Sequence, residues 1–149
     1  MKIGEQCPDF SGLNQFGEQI NSHDYIGDKN IVVFFYPKDF TPGCTKEVCE
    51  FRDDYDEFTK YNCEIIGISS DSLKSHLDFS KRYKLKYHLL SDSKNTIRKL
   101  FQVPRNLFGL IPGRVTFVIN TDGTVIGMYN SLANSTSHIS YALKCLKEL

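Results

Sequence analysis

The residues best suited to chemistry concentrate in one stretch, "FFYPKDFTPGCTKEVCEFRDDYDEF", residues 34–58. It holds two of the five cysteines, Cys44 and Cys49, with four residues between them. That spacing is too wide for the C-x-x-C of a disulfide reductase and fits no common zinc pattern. Pro42 suits the first position of a helix, where its missing N–H is not needed. Thr41 is then the N-cap and Cys44 the third helical residue. A capping box would place Glu or Gln there, facing the cap; here the position holds a sulfur, near the Thr41 hydroxyl. Unpaired backbone N–H groups and the positive end of the helix dipole surround it, a setting that favours a nucleophilic thiolate. The plain alternative is a small buried cysteine that happens to open a helix. Thr41, Pro42 and Gly43 together favour the reactive reading.

The elements around this junction must hold it in place. "NIVVFFYP" is a β-branched and aromatic run ended by Pro37, the pattern of a strand buried on both faces. From Pro42 onward Val48, Phe51, Tyr55 and Phe58 recur three or four apart, predicting an amphipathic helix with Arg52, Asp53, Asp56 and Glu57 on its surface. "CEIIGISSD" is the next buried strand. "SLKSHLDFSKRYK" is helical, capped by Asp71 or Ser72. "YHLLSD" predicts a short strand, "SKNTIRKLF" a short helix and "RVTFVINTDGTVIGMYN" a hairpin turning at "TDG". "HISYALKCLKEL" closes as a helix with Ile139, Ala142, Leu143, Leu146 and Leu149 near one stripe. Ahead of all this, "CPDFSGLNQFGEQINSHDYIG" reads as an extended arm with a hairpin around "NQFGE". Strands alternating with helices predict an α/β fold with a parallel core, helices on both faces and an antiparallel edge. This is the layout of a thioredoxin-like fold, a central mixed β-sheet flanked by helices with an N-terminal extension, in one domain over residues 1–149. Ligands bind beyond the carboxyl ends of parallel strands in such sheets, where "TPGC" falls.

Bulk properties narrow the function. With 149 residues the chain can bury a full core without disulfide staples. Eighteen Lys plus Arg balance 18 Asp plus Glu, which gives no electrostatic reason to expect nucleic acid or an anionic membrane as partner. No apolar run would span a bilayer, and "MKIGEQCPDF" lacks the marks of a signal or transit peptide, so a cytoplasmic location is expected. An odd cysteine count in such a chain argues for reactive or core thiols rather than a disulfide framework. The four histidines (23, 76, 88 and 138) show no ligand spacing, and no metal site is expected. No phosphate loop or dinucleotide fingerprint is present, and no cofactor is expected.

"YPKDFTPGCTKEVCEFRD" resembles the peroxiredoxins, whose active-site pattern Pro-x-x-x-Thr-x-x-Cys is met by Pro37, Thr41 and Cys44. The "TPGCT" form with a second cysteine at Cys49 is similar to the bacterioferritin comigratory protein, or peroxiredoxin Q, subgroup. "LFGLIPGRVTFVIN", with Arg114 before a strand, and "CPDF" near the start extend the resemblance over essentially the whole chain. Cys7 departs from it, standing where relatives usually carry a small residue such as Ala. The resemblance implies a thiol peroxidase that reduces hydrogen peroxide and organic hydroperoxides. Cys44 is then the attacking thiolate and becomes a sulfenic acid. Thr41 and Arg114 bind the peroxide, and Pro37 shields the thiolate. Arg114 without the resemblance would read as a surface arginine, and Pro37 as a strand terminator. Cys49 is implied as the resolving thiol. Residues five apart in a regular helix have Cα atoms ~8–9 Å apart. A disulfide needs roughly 4.4–6.8 Å. The implied bridge therefore requires the first helical turns to unwind. Cys63 and Cys145 read as core fillers, with Cys145 a distant second candidate for resolution.

The implied partners are a hydroperoxide and thioredoxin or a similar dithiol reductase, with the chain a monomer or weak dimer. Two other functions stay open on sequence alone. One is a thioredoxin-like disulfide oxidoreductase, against which the absent C-x-x-C counts. The other is a non-enzymatic peroxide sensor or holdase, which both cysteines would also serve.

Overall fold

The computed structural model describes residues 1–106, 109 and 111–149. The arm hairpin is β1 (Ser11–Leu13) and β2 (Gln19–Asn21), turning over Asn14–Glu18. Then follow β3 (Asn30–Phe35), α1 (Pro42–Asp53), α2 (Tyr55–Lys60), β4 (Cys63–Ser69), α3 (Leu73–Tyr83), β5 (His88–Ser91) and α4 (Thr96–Leu100). A two-residue ribbon, β6 (Arg105–Asn106) with β7 (Ile111–Pro112), precedes β8 (Val115–Ile119), β9 (Val125–Asn130) and α5 (Ser137–Lys147). Seven strands form one mixed sheet in the order β2-β1-β5-β4-β3-β8-β9. β3, β4 and β5 are parallel, while β8 lies antiparallel on the other side of β3 and β9 antiparallel to β8.

The topology explains the layers. From β3 through β4 to β5 the chain steps one way across the sheet, so right-handed crossovers put α1, α2 and α3 on one face. α5 joins them there. The return from β5 to β8 runs over the opposite face and carries α4. Alternation along β3 divides the core accordingly. Val32, Phe34 and Tyr36 pack with Val48, Phe51, Phe58, Phe79, Ile139, Ala142 and Leu146 under the large helices. Ile31, Val33 and Phe35 pack with Cys7, Phe10, Ile97 and Phe101 under the arm and α4. Helices therefore do cover both faces, but the second face depends on the N-terminal arm as much as on its one short helix. Gly67 in β4 has a packing reason: a Cβ there would lie 2.7 Å from the Phe34 ring, which stacks on Phe51 at 4.5 Å.

Two local expectations need correction. The helix opened by Pro42 does not run straight to Phe58. It bends at Asp54 (φ −94, ψ 7), whose N–H reaches the Glu50 carbonyl and whose carbonyl accepts from Phe58 N–H. Asp is a weak helix former that competes for its own backbone, and residues 53, 54 and 56 are all Asp. At the C-terminus, Leu149 lies past the end of α5 and is exposed, whereas Ile139, Ala142 and Leu146 are buried. Among the described residues no helix is long and apolar enough to cross a membrane.

Candidate active site

β3 delivers its chain to the edge of the parallel core at Tyr36. Residues 37–41 turn it into α1. Phe40 takes a positive φ of 66° in this turn, unusual for a bulky side chain, and its ring packs against Phe79 at 4.9 Å. Behind the turn, Asp39 is buried. Its Oδ1 accepts from Tyr36 Oη (2.6 Å), and its Oδ2 accepts from Ser75 Oγ (2.9 Å) and pairs with His76 Nδ1 (2.7 Å). His76 Nε2 donates to the Leu90 carbonyl at 3.0 Å. Asp71 accepts from Asp39 N–H and from Ser69 Oγ. The potential ligand atoms of Asp39, Asp71 and His76 lie within 4.8 Å of one another, but each is engaged by protein hydrogen bonds. The cluster anchors the turn.

Thr41 is the N-cap residue with extended backbone (φ −76, ψ 151), and Pro42 is the first residue of the helix. Its hydroxyl does not cap, however: Oγ1 donates to the Lys38 carbonyl at 2.8 Å. The cap expected on the helix N–H groups is thus a loop tie, and the hydroxyl oxygen keeps its lone pairs for an incoming donor. Cys44 is buried in the first turn of α1 and belongs to the core under the helices. Cys49 sits in the same unbroken helix, half-buried, and all five cysteines are free. Burial, with Asp9 adding to it, pushes Cys7 up to about 12. Burial likewise raises Cys49, Cys63 and Cys145.

Arg114 is not a surface arginine. It is 4% exposed and enters the site from the segment before β8. Its Nε donates to the Leu132 carbonyl (3.0 Å) and its Nη1 to Glu47 Oε1 (2.7 Å). Nη2 lies over Gly43, so that a Cβ there would sit 3.1 Å away, and the guanidinium rests against the Cys44 side chain. Burial would lower its pKa, but Glu47 and Cys44 more than offset this and hold the charge in place.

The residues that sequence reasoning missed lie behind Arg114. Glu47 is fully buried, and burial, only partly offset by Arg114, pushes its carboxyl up to about 8. Its Oε2 is buried without a hydrogen-bond partner among the described residues. His138 of α5 lies 3.7 Å from that oxygen and is also fully buried. Its ring bonds Thr116 Oγ1 through Nδ1 and the Ser131 carbonyl through Nε2, both at 2.8 Å. Glu47 had a readable signal: with Cys44, Val48 and Phe51 it falls at the i, i+3, i+4, i+7 positions of one buried face. Its partners come from elsewhere in the chain. Of the expected site residues, Thr41, Cys44 and Arg114 converge on the first turn of α1. Cys49 stays more than one turn away, and Pro37 lies half-buried on the entering loop. Leu107, Phe108 and Leu110 of the "LFGLIPGR" stretch lie outside the described residues.

Comparison with known proteins places the chain in a family. Residues 3–128 match the AhpC/TSA family. The chain is 45% identical over 146 residues to the chloroplastic peroxiredoxin Q of Sedum lineare, covering 98% of this chain and 78% of that protein. The corresponding protein of Arabidopsis thaliana is 46% identical over 144 residues, covering 97% and 66%. Among solved structures, peroxidoxin BcpB of Mycobacterium tuberculosis superposes with a TM-score of 0.92 at 36% identity, over 100% of this chain and 98% of that one. The bacterioferritin comigratory protein of Xanthomonas campestris, described by its alkyl peroxide reduction activity, superposes at 0.81 with 29% identity, over 93% and 90%. With a cysteine-bearing helix start, a buried arginine beside it and relatives matched along nearly its whole length, this chain belongs to the AhpC/TSA family, as a thiol peroxidase of the peroxiredoxin Q type.

Proposed function

We propose that Cys44 is the residue that reduces the peroxide and Cys49 the one that resolves it. The observation that carries this reading is the buried Arg114 guanidinium held against Cys44 in the first turn of α1. The Cys44 thiolate attacks one peroxide oxygen in line with the O–O bond. The S–O bond forms, the O–O bond breaks, and the leaving oxygen takes a proton and departs as water or an alcohol. Cys44 is left as a sulfenic acid. Negative charge grows on the leaving oxygen, where Arg114 directs donors not committed to Leu132 and Glu47. Thr41, its hydrogen given to Lys38, accepts the peroxide O–H. Pro37 walls the loop side and excludes water.

The Cys49 thiol then attacks the Cys44 sulfenic sulfur, releasing water and forming a disulfide. A dithiol protein of the thioredoxin type, the kind of reductant this family uses, supplies two electrons and two protons, returns both cysteines to thiols and leaves as a disulfide. The absence of a C-x-x-C pair at the helix start counts against a disulfide reductase. Cys44, Cys49, Thr41 and Arg114 all come from one chain, so the proposal takes it to act as a monomer or weak dimer. A compartment that keeps thiols reduced, the cytoplasm, is the location proposed with it.

Peroxide treatment and mass mapping test the assignment. Wild type should give a Cys44–Cys49 disulfide that thioredoxin reduces. Cys49→Ser should trap a sulfenic acid on Cys44 that reacts with dimedone and overoxidises to the sulfinic acid, and Cys44→Ser should lose turnover. Turnover surviving in Cys44→Ser rejects the nucleophile. Normal thioredoxin-dependent turnover in Cys49→Ser moves resolution to another thiol.

A further inference from the structure

The histidine behind Arg114 has a fixed hydrogen-bonding state. The Ser131 carbonyl can only accept, so His138 Nε2 carries the hydrogen. Burial pushes the imidazole down to about 4, with the Ser131 bond opposing and Arg114 reinforcing, so the ring is neutral near pH 7. Nδ1 is then a lone pair, and Thr116 Oγ1 donates to it. Glu47 Oε2, with no hydrogen-bond partner among the described residues, lies 3.7 Å from the same nitrogen. That lone pair is already filled by Thr116, so Nδ1 gives Oε2 no donor, and an ionised Oε2 would be repelled there. The other ionisable groups facing Glu47 are Arg114, Cys44 one turn back on α1, and Tyr87 from the segment before β5. His138 itself also meets the edge of the Tyr129 ring. Finally, the Ser131 carbonyl it holds is one peptide from the Leu132 carbonyl that holds Arg114 Nε.

We propose that His138 is a positioning residue for the peroxide step: its Nε2–H pins the Ser131–Leu132 main chain that carries Arg114, and its Nδ1, filled by Thr116, sets a lone pair and no donor against Glu47 Oε2. This rests on the peroxidase reading above. The reaction gains no atom from His138. What it gains is an arginine whose Nε stays anchored on the Leu132 carbonyl and whose carboxyl partner is given no donor that would favour its charge.

Two substitutions separate the two contacts. His138→Gln can still donate to Ser131 but presents no acceptor at Nδ1, whereas His138→Asn keeps an acceptor there and loses the Ser131 bond. Rapid-quench mass spectrometry of Cys44 oxidation by hydrogen peroxide should show both variants slower by about tenfold, the loss expected when a positioning contact is removed. The alkaline fall in rate, set by Glu47 ionising, should move to lower pH in His138→Gln and stay in place in His138→Asn. In a Glu47→Gln background, which cannot ionise, His138→Gln should cause no pH displacement. In the unaltered protein, side-chain nitrogen NMR should find His138 neutral with hydrogen on Nε2 at pH 7, a reading independent of whether any variant folds. An imidazolium or an Nδ1–H tautomer there overturns the proposal, as does a His138→Gln pH profile that superimposes on wild type. Failure of peroxide to oxidise Cys44 in wild type at any pH would instead reject the peroxidase reading beneath it.

Discussion

Arg114 Nη2 lies where a Cβ on residue 43 would come within 3.1 Å of it. Gly43 is therefore the space in which the guanidinium rests, as well as a weak point in the helix. Gly43→Ala should separate stability from activity. Alanine in a helix is worth up to about 1 kcal/mol over glycine. The guanidinium must shift a few tenths of an ångström to make room. Denaturant unfolding should show equal or greater stability, while the second-order rate of Cys44 oxidation falls by roughly fivefold to tenfold, as misaimed catalytic donors cost rate. A variant equally fast and more stable would show that Arg114 needs no fixed place over residue 43.

Thr41 tests the turn. Its hydroxyl ties the loop to the Lys38 carbonyl and offers lone pairs outward. Thr41→Val keeps the shape and loses both, whereas Thr41→Ser keeps both. Val should cost about 0.5–1.5 kcal/mol of stability, the worth of one hydrogen bond, and the peroxide rate should fall much further than that. Matching rates for Val and Ser would confine Thr41 to shaping the turn.

Glu47 should leave a pH signature in stability. Its carboxyl is raised from 4.5 to about 8 in the folded protein. The folded state therefore holds this proton more tightly than the unfolded one. The resulting stabilisation is fully present below the unfolded value and is lost as pH rises through about 8. His138 runs the other way: lowered from 6.5 to about 4, it adds stability above the unfolded value that disappears as pH falls through about 4. Urea unfolding of wild type and Glu47→Gln across this window should find wild type losing stability relative to the variant as pH rises. A pH-independent difference would mean that Glu47 is ionised throughout.

Much of this was legible because it is local. The alternation of Ile31, Val33 and Phe35 against Val32, Phe34 and Tyr36 is strand periodicity, and the "TPGC" run announces a helix start with a sulfur in its first turn. Arg114 was legible only through the family resemblance, because its burial depends on Gly43 and Glu47 of α1 and on Leu132 after β9, two segments distant from it in sequence. Glu47 was given no role from the sequence, and only the helical position it shares with Cys44 and Phe51 marks it as buried. His138 could not be read at all, since its meaning lies in Ser131, Thr116 and Glu47, which only the fold brings to it.

The last prediction concerns the unwinding that a Cys44–Cys49 bridge demands. Both cysteines lie in one continuous helix, so the first turns of α1 must open before the sulfurs can meet. The tethers of that segment are few and identifiable. Tyr87 Oη donates to the Val48 carbonyl at 2.7 Å, between the two cysteines, while Phe51 stacks on Phe34 at 4.5 Å just beyond them. The first bond must yield for the bridge to form, and the second contact can persist. Oxidation should therefore release a local unit and leave the sheet folded. Hydrogen exchange on oxidised protein should lose protection from Cys44 to about Phe51 while Ile65 to Ile68 keep theirs. Tyr87→Phe removes the Val48 bond at a cost of about 0.5–1.5 kcal/mol to the closed form. It should speed disulfide formation severalfold and lower the fraction of Cys44 overoxidised to sulfinic acid at high peroxide. An unchanged resolution rate in Tyr87→Phe, or full protection across residues 44–51 in an oxidised sample, would show that the sulfurs meet by some route other than opening the start of α1.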